Sequence, residues 1–203
     1  MSDDRIFRIL IVAVLAAGSI IRASYLFSAK KRSRSCRTVR RESGVSMTLQ
    51  ALFYTGGTGL LIVSVAYPRL IAWAGLGLPH SVRWLGVLLG VASLPLLAWV
   101  HRWLDLNGSF VARIRENHTL VTGGPYAFVR HPMYAVWYLL HLSLFLMTAN
   151  WLVGAYFLGV YTLPITLRMN EEEAMLRETF GDAYLSYARR TGRILPRLPR
   201  PLS

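Results

Sequence analysis

The chain has 203 residues, 54% of them hydrophobic and 16% charged, with a formal net charge of +13 and a positive mean hydropathy. One or two soluble domains would suit that length, but apolar residues running in long blocks exclude a soluble globular reading. The Lys and Arg lie beside those blocks, where they fix membrane orientation, so the charge does not argue for nucleic acid.

Cys36 is the one cysteine, so no intramolecular disulfide forms and nothing argues for an oxidising compartment. The C-terminal Pro-Leu-Ser carries no Cys and is not a prenylation target.

In chain order, residues 6–26 form the first apolar block. Arg5 and Arg8 followed by Ala16-Ala17-Gly18 also suit a signal peptide. The block continues past that point and reads as a retained span, with Arg22 snorkelling to the interface. Residues 30–41 hold seven basic residues and no acid. A short loop beside a span does this as a topology determinant, with anionic-lipid contact as the sharper alternative.

The second span covers residues 47–67. Its Gly56-Gly57-Thr58-Gly59 cluster is no nucleotide loop, since no strand precedes it and no Lys-Ser/Thr follows. Small residues inside a span allow close helix packing instead. A turn-rich connector, 68–80, leads to the third span, 82–100, where Pro95 predicts a kink.

Residues 101–130 are the longest polar segment. It ends in a stretch, 120–134, reading Leu-Val-Thr-Gly-Gly-Pro-Tyr-Ala-Phe-Val-Arg-His-Pro-Met-Tyr. Pro fits the first turn of a helix, and the residue before it is pushed to extended geometry. Residues 123–131 therefore read as an ordered loop and Pro132 as the start of span four. Arg130 and His131 then sit at a helix N-terminus suited to a carboxylate or phosphate.

Spans four (132–149) and five (151–167) form a hairpin turning at Asn150, each only just long enough to cross a core of about 30 Å. The tail, 168–203, reads as two short helices, 171–180 and 182–190, separated by Gly181. Leu176, Phe180, Tyr184 and Tyr187 recur at helical spacing as a packing stripe.

The expected fold is thus an all-α integral membrane protein of about five transmembrane helices with a C-terminal helical tail. Residues 1–100 hold three spans and the basic loop. Residues 101–203 hold the polar loop 117–134, hairpin 132–167 and tail 168–203. The basic segments fall on one side, which the positive-inside rule makes cytosolic, with the N-terminus outside and the C-terminus inside.

Because spans four and five are a hairpin, Pro132 and Arg168 must lie close, and Glu171-Glu172-Glu173 follows at once. A site there pairs a cation-rich helix start with carboxylates, which suits a zwitterionic ligand. Taken singly, Arg130-His131-Pro132 also fits an interfacial anchor, and the three Glu a solvated helix start. The His residues lack metal-ligand spacing, and no acyl-enzyme motif is present.

Asn117-His-Thr-Leu-Val-Thr-Gly-Gly-Pro-Tyr-Ala-Phe-Val-Arg-His-Pro-Met-Tyr134, then a hairpin, then Glu172-Glu173-Ala-Met-Leu176, Phe180-Gly181, Tyr184 and Tyr187, resembles the isoprenylcysteine carboxyl methyltransferases. It is similar also to the wider superfamily that includes the phospholipid N-methyltransferases. The resemblance runs over roughly residues 107–196. The family pattern has Gly two residues after the motif Tyr, where this chain has Val136.

The resemblance implies S-adenosylmethionine as cofactor, bound at the cytosolic membrane face without a Rossmann fold. It also implies a lipophilic methyl acceptor, prenylcysteine or lipid, entering from the bilayer. By the same carry-over Tyr126, Arg130, His131, Pro132 and Tyr134 shape the cofactor pocket with the backbone of Leu120 and Val121, and His118 is a weaker member.

Glu172 or Glu173 takes the cofactor's ammonium group, and Arg130 or the helix N-terminus its carboxylate. Arg168 holds an acceptor carboxylate by a bidentate pair. With an amine acceptor, a Glu such as Glu173 acts as base. Two rivals stand beside this reading. One is an NADPH-dependent sterol-type reductase, whose members share an Arg-His-Pro-x-Tyr segment. The other is a non-catalytic membrane module binding anionic lipid or a partner.

Overall fold

The computed structural model describes residues 3–32, 38–41, 44–104, 113–115 and 120–197. Its helices are α1 (Asp3–Arg32), α2 (Gly44–Ala66), α3 (His80–Leu104), α4 (Pro132–Thr148), α5 (Trp151–Gly154) and α6 (Thr162–Arg190). Short 3-10 turns occupy Pro68–Ala74 and Gly124–Ala127. One feature outside the all-helical expectation is a small antiparallel ribbon, β1 (Thr38–Arg41) paired with β2 (Arg113–Arg115).

Among the described residues, four helical stretches are long and apolar enough to cross a membrane: Asp4–Phe27, Gly44–Ala66, His80–Leu104 and Trp151–Arg190. The fifth apolar helix, α4, has 17 residues, about 25 Å at 1.5 Å per residue. That is just under the thickness of the bilayer core.

The second arm of the hairpin departs from the expected shape. From Trp151 the helix passes through a π segment, Ala155–Val160, and on into α6 without a break. The span and the first tail helix are therefore one rod. Its straight part runs from Trp151 to Phe180, about 45 Å at 1.5 Å per residue, so the part beyond Leu167 projects past a 30 Å core. Gly181 interrupts it with φ 51° and ψ −125°, a conformation that suits glycine. The division of the tail at that residue stands as expected.

Small residues set the helix contacts. A Cβ at Gly56 would overlap the Tyr156 hydroxyl, and one at Gly57 would lie 3.1 Å from the Phe157 ring. Tyr156 then donates to the Phe53 carbonyl at 2.9 Å. On α3, a Cβ at Gly86 would lie 2.8 Å from Leu146 and 2.9 Å from the Met147 nitrogen. There Ser143 donates to the Gly86 carbonyl at 2.7 Å. Pro95 lies inside α3.

Asn150 turns the hairpin as expected, accepting from the Leu152 and Val153 N–H groups at 3.0 and 3.3 Å. Its amide also donates to the Ile71 carbonyl at 2.8 Å, which pins the connector to the turn. Val136 is buried with Leu97 and Val100, so this position faces α3 and serves helix packing.

Candidate functional site

The site forms where α3 ends, α4 begins and α6 leaves the apolar layer. The loop ahead of α4 is held by contact with α3. Gly124 has φ 56°, and a Cβ there would overlap the Trp103 ring. Glycine is thus required both for the turn and for the close approach. Tyr126 behind it is buried, and its carbonyl accepts from the Tyr187 hydroxyl at 2.7 Å.

The end of the chain closes the loop from outside. Val129 and Gly192 form a parallel bridge. The N–H groups of Arg130 and His131 donate to the carbonyls of Gly192 and Arg193 at 2.8 and 3.0 Å. Residues 191–193 therefore act as a strap across the start of α4. The Arg130 side chain strengthens it, with Nη1 donating to the carbonyls of Thr191 at 2.6 Å and Ala188 at 3.0 Å.

Two carboxylates on α6 organise the interior. Glu173 Oε1 lies 3.1 Å from Arg130 Nε, 3.0 Å from His131 Nε2 and 3.3 Å from Arg193 Nε. Glu172 Oε1 accepts from the Tyr134 hydroxyl at 2.8 Å and from Arg168 Nε at 3.0 Å. Its other oxygen is 3.5 Å from His131 Nδ1. The imidazole thus sits between the two carboxylates. Burial works to lower its pKa, but the hydrogen bonds and charges of Glu172 and Glu173 outweigh that and hold it above the ordinary histidine value.

Arg168 is buried and reaches across to α2, where its Nη1 donates to the Gln50 side-chain oxygen. This polar pair lies at the edge of an apolar cluster of Phe53, Tyr134, Phe157, Tyr161, Ile165 and Met169. Charged groups with their own partners therefore adjoin a greasy wall. Such an arrangement can hold an ionic ligand beside a lipophilic one.

Of the residues expected here, Arg130, His131, Tyr134, Arg168, Glu172 and Glu173 meet in one cluster, with Pro132 opening α4 behind them. Leu120 and Val121 are half-buried just before the loop. His118 lies outside the described residues. The stripe residues Tyr184 and Tyr187 are buried, with Leu176 and Phe180 half-buried.

Gln50, Trp103 and the strap residues Thr191 and Arg193 were not expected. Gln50 carried a usable signal, as a lone amide in an apolar span. The strap carried none, because its role rests on backbone carbonyls that any sequence supplies.

Fold and site together define a helical, multi-span membrane protein. The phospholipid methyltransferase family model matches residues 81–183, half of the chain, and the chain belongs to that family.

Its relatives are more particular. The protein-S-isoprenylcysteine O-methyltransferase of Mus musculus is 38% identical over 85 residues, 40% of this chain and 29% of its own length. That of Homo sapiens is 39% identical over 82 residues, 40% of this chain and 28% of its own length. The cobalt-zinc-cadmium resistance protein CzcN of Cupriavidus metallidurans is 38% identical over 84 residues, 41% of this chain and 38% of its own length. The chain thus spans about a third of the length of these curated relatives.

A solved structure of the eukaryotic intramembrane Ras methyltransferase ICMT (isoprenylcysteine carboxyl methyltransferase) shares the fold. Its TM-score is 0.54 at 23% identity, covering 78% of this chain and 54% of the other.

Proposed function

We propose that the protein is an S-adenosylmethionine-dependent methyltransferase. In this reading it methylates the carboxylate of a lipophilic, isoprenylcysteine-like acceptor at the cytosolic membrane face. One observation carries the reading: Arg130 and His131, Glu172 and Glu173, Tyr134 and Arg168 converge beside an apolar wall, from two segments about forty residues apart. The residues fit the cofactor by their chemistry. Paired carboxylates suit an ammonium group, and the cation-rich start of α4 suits a carboxylate. When bound, S-adenosylmethionine supplies a methyl group on a sulfonium.

Within this reading the residues divide the work. Glu172 or Glu173 takes the ammonium group. Glu173 braces the loop through Arg130, His131 and Arg193, and Tyr134 and His131 orient Glu172. Tyr126, with the backbone of Leu120 and Val121, walls the pocket.

Arg168 positions the acceptor carboxylate, which is already ionised at neutral pH, so no base is required. Alignment of the two partners then supplies most of the rate gain, at most about 7–11 kcal/mol. The division into an anchoring part, 1–100, and a catalytic part, 101–203, belongs to this proposal. So does an orientation with the N-terminus outside.

A second reading changes the acceptor to a phospholipid or small-molecule amine or thiol. It is favoured by the family matched over residues 81–183. A protonated amine must lose a proton, and Glu173 is then the base.

Transfer of labelled methyl from S-adenosylmethionine in liposomes separates the readings. Farnesylcysteine analogue and total lipid extract are offered in separate samples. Base-labile label released as methanol from the farnesylcysteine sample supports carboxyl methylation, whereas base-stable label in lipid supports the second reading. Label in neither sample, with NADPH binding instead, would overturn both in favour of a reductase.

A further inference from the structure

The opposite end of the bundle carries a second arrangement of charge that the proposed activity does not use. There α1 and α3 begin and α2 ends. Asp4 of α1 is taken by Arg83 of α3, with a 2.6 Å ion pair, and Arg83 also lies over the Phe7 ring. Arg8 reaches sideways to donate to the Val65 carbonyl of α2 at 3.2 Å. Among the described residues no carboxylate pairs with Arg5 or Arg8.

Beneath these arginines lies a cavity of about 410 Å³ lined by Arg5, Arg8, Ile9, Val12 and Val65. The spacing puts the α1 members on one face. Arg5 and Arg8 are three apart, Arg5 and Ile9 four apart, and Arg8 and Val12 four apart. Cations therefore stand at the helix start and aliphatic side chains one to two turns deeper. A phospholipid has the same order, phosphate above and acyl chain below. Ile9 and Val12 are 55% and 50% exposed, so protein leaves this wall uncovered. The positive end of the α1 dipole lies on the same side as the cations.

We propose that this slot binds an anionic phospholipid. Its phosphate sits between Arg5 and Arg8, and one acyl chain lies along Ile9, Val12 and Val65. Two guanidiniums on adjacent turns can grip one phosphate, and the open groove gives the acyl chain an aliphatic wall to lie against. The site is on the far side of the membrane layer from His131 and Glu172, so it stands whether or not the methyltransferase reading does.

The test is lipid binding to the full-length protein in neutral detergent, followed by native mass spectrometry. Phosphatidylglycerol and phosphatidylcholine are titrated separately. The expected result is one saturable phosphatidylglycerol site, preferred over phosphatidylcholine. The double variant R5Q/R8Q weakens it roughly twenty-five-fold, at about fivefold per arginine near an anionic headgroup.

Val12→Trp fills the slot with both arginines intact and loses the same site. Arg69→Gln, at an exposed arginine that does not line the cavity, leaves binding unchanged. A thermal melt of each variant separates lost binding from lost folding.

Equal affinity for both lipids, an unaltered R5Q/R8Q protein or a Val12→Trp protein that still binds would overturn the proposal. An equal loss in Arg69→Gln would do the same, by reducing the effect to diffuse charge. Displacement of phosphatidylglycerol by a polyglutamate peptide would make the slot a protein-binding site instead.

Discussion

The two ends of α4 are held by opposite means. Toward the hairpin turn, Gly86 and Gly90 bring α3 against Ser143 and Met147, and shape does the work. Toward the loop, α4 meets α6 through Tyr134, His131 and Arg130, which are paired with Glu172 and Glu173. Close-packed helices lose stability smoothly as bulk is added. A buried charge network fails abruptly, because removing one member leaves its partner charged and without solvent. The charged end therefore sets a distinct chemistry, and the packed end sets the geometry it depends on.

The largest effect is expected at the charged end. Glu172→Ala removes the acceptor of Tyr134 and the ion-pair partner of Arg168. It should cost about 3–5 kcal/mol, the range for breaking a buried pair. The checks are a detergent melt and a titration with S-adenosylmethionine. A variant as stable as the parent that binds the cofactor equally well would remove the case for a network.

Tyr184→Ala should cost about 3 kcal/mol, as for other large core truncations, because the side chain is 1% exposed. Tyr184→Phe keeps the packed ring and should cost far less. If the Phe variant melted as low as the Ala variant, the hydroxyl and not the packing would be the support.

At the packed end, Gly86→Val should cost about 2 kcal/mol by overpacking. The added atoms meet the Met147 nitrogen and Ser143 carbonyl, which cannot rotate away. A melt unchanged by this variant would show that α3 and α4 slide freely.

A smaller, pH-dependent effect follows from His131. Its folded pKa is raised by Glu172 and Glu173 against the opposing effect of burial. Its stabilisation is thus fully present below the unfolded value of about 6.5 and is lost as pH rises through the folded value. The melting temperature should fall over that window, and His131→Gln should flatten the slope. A melting temperature that rises over the same window would reverse the sign of the argument.

The smallest change is expected at Gly59, where a Cβ meets nothing within 4 Å. Gly59→Ala should stabilise by up to about 1 kcal/mol through helix propensity alone. A loss instead would reveal a neighbour packed on that face.

Much of this was legible in the residues themselves. Apolar blocks long enough to cross a bilayer have few alternatives to helix, since lipid cannot satisfy an open backbone. Pro132 marks a helix start by its missing N–H, and Gly181 marks a break by its freedom at positive φ. The convergence of Arg130-His131 with the glutamates followed from the hairpin, because the short turn at Ala149 and Asn150 brings both arms to the same end.

What the tertiary structure alone decided is how the charges are shared. Which glutamate meets which cation depends on side-chain reach across three helices. Hence Arg168 finding Gln50 on α2 has no signature in local spacing. The second hairpin arm runs on into the tail because α6 continues past Arg168, where residue polarity alone marks an end. The strap at 191–193 is recognised through main-chain carbonyls, which every residue possesses, and only the folded path brings them to the start of α4.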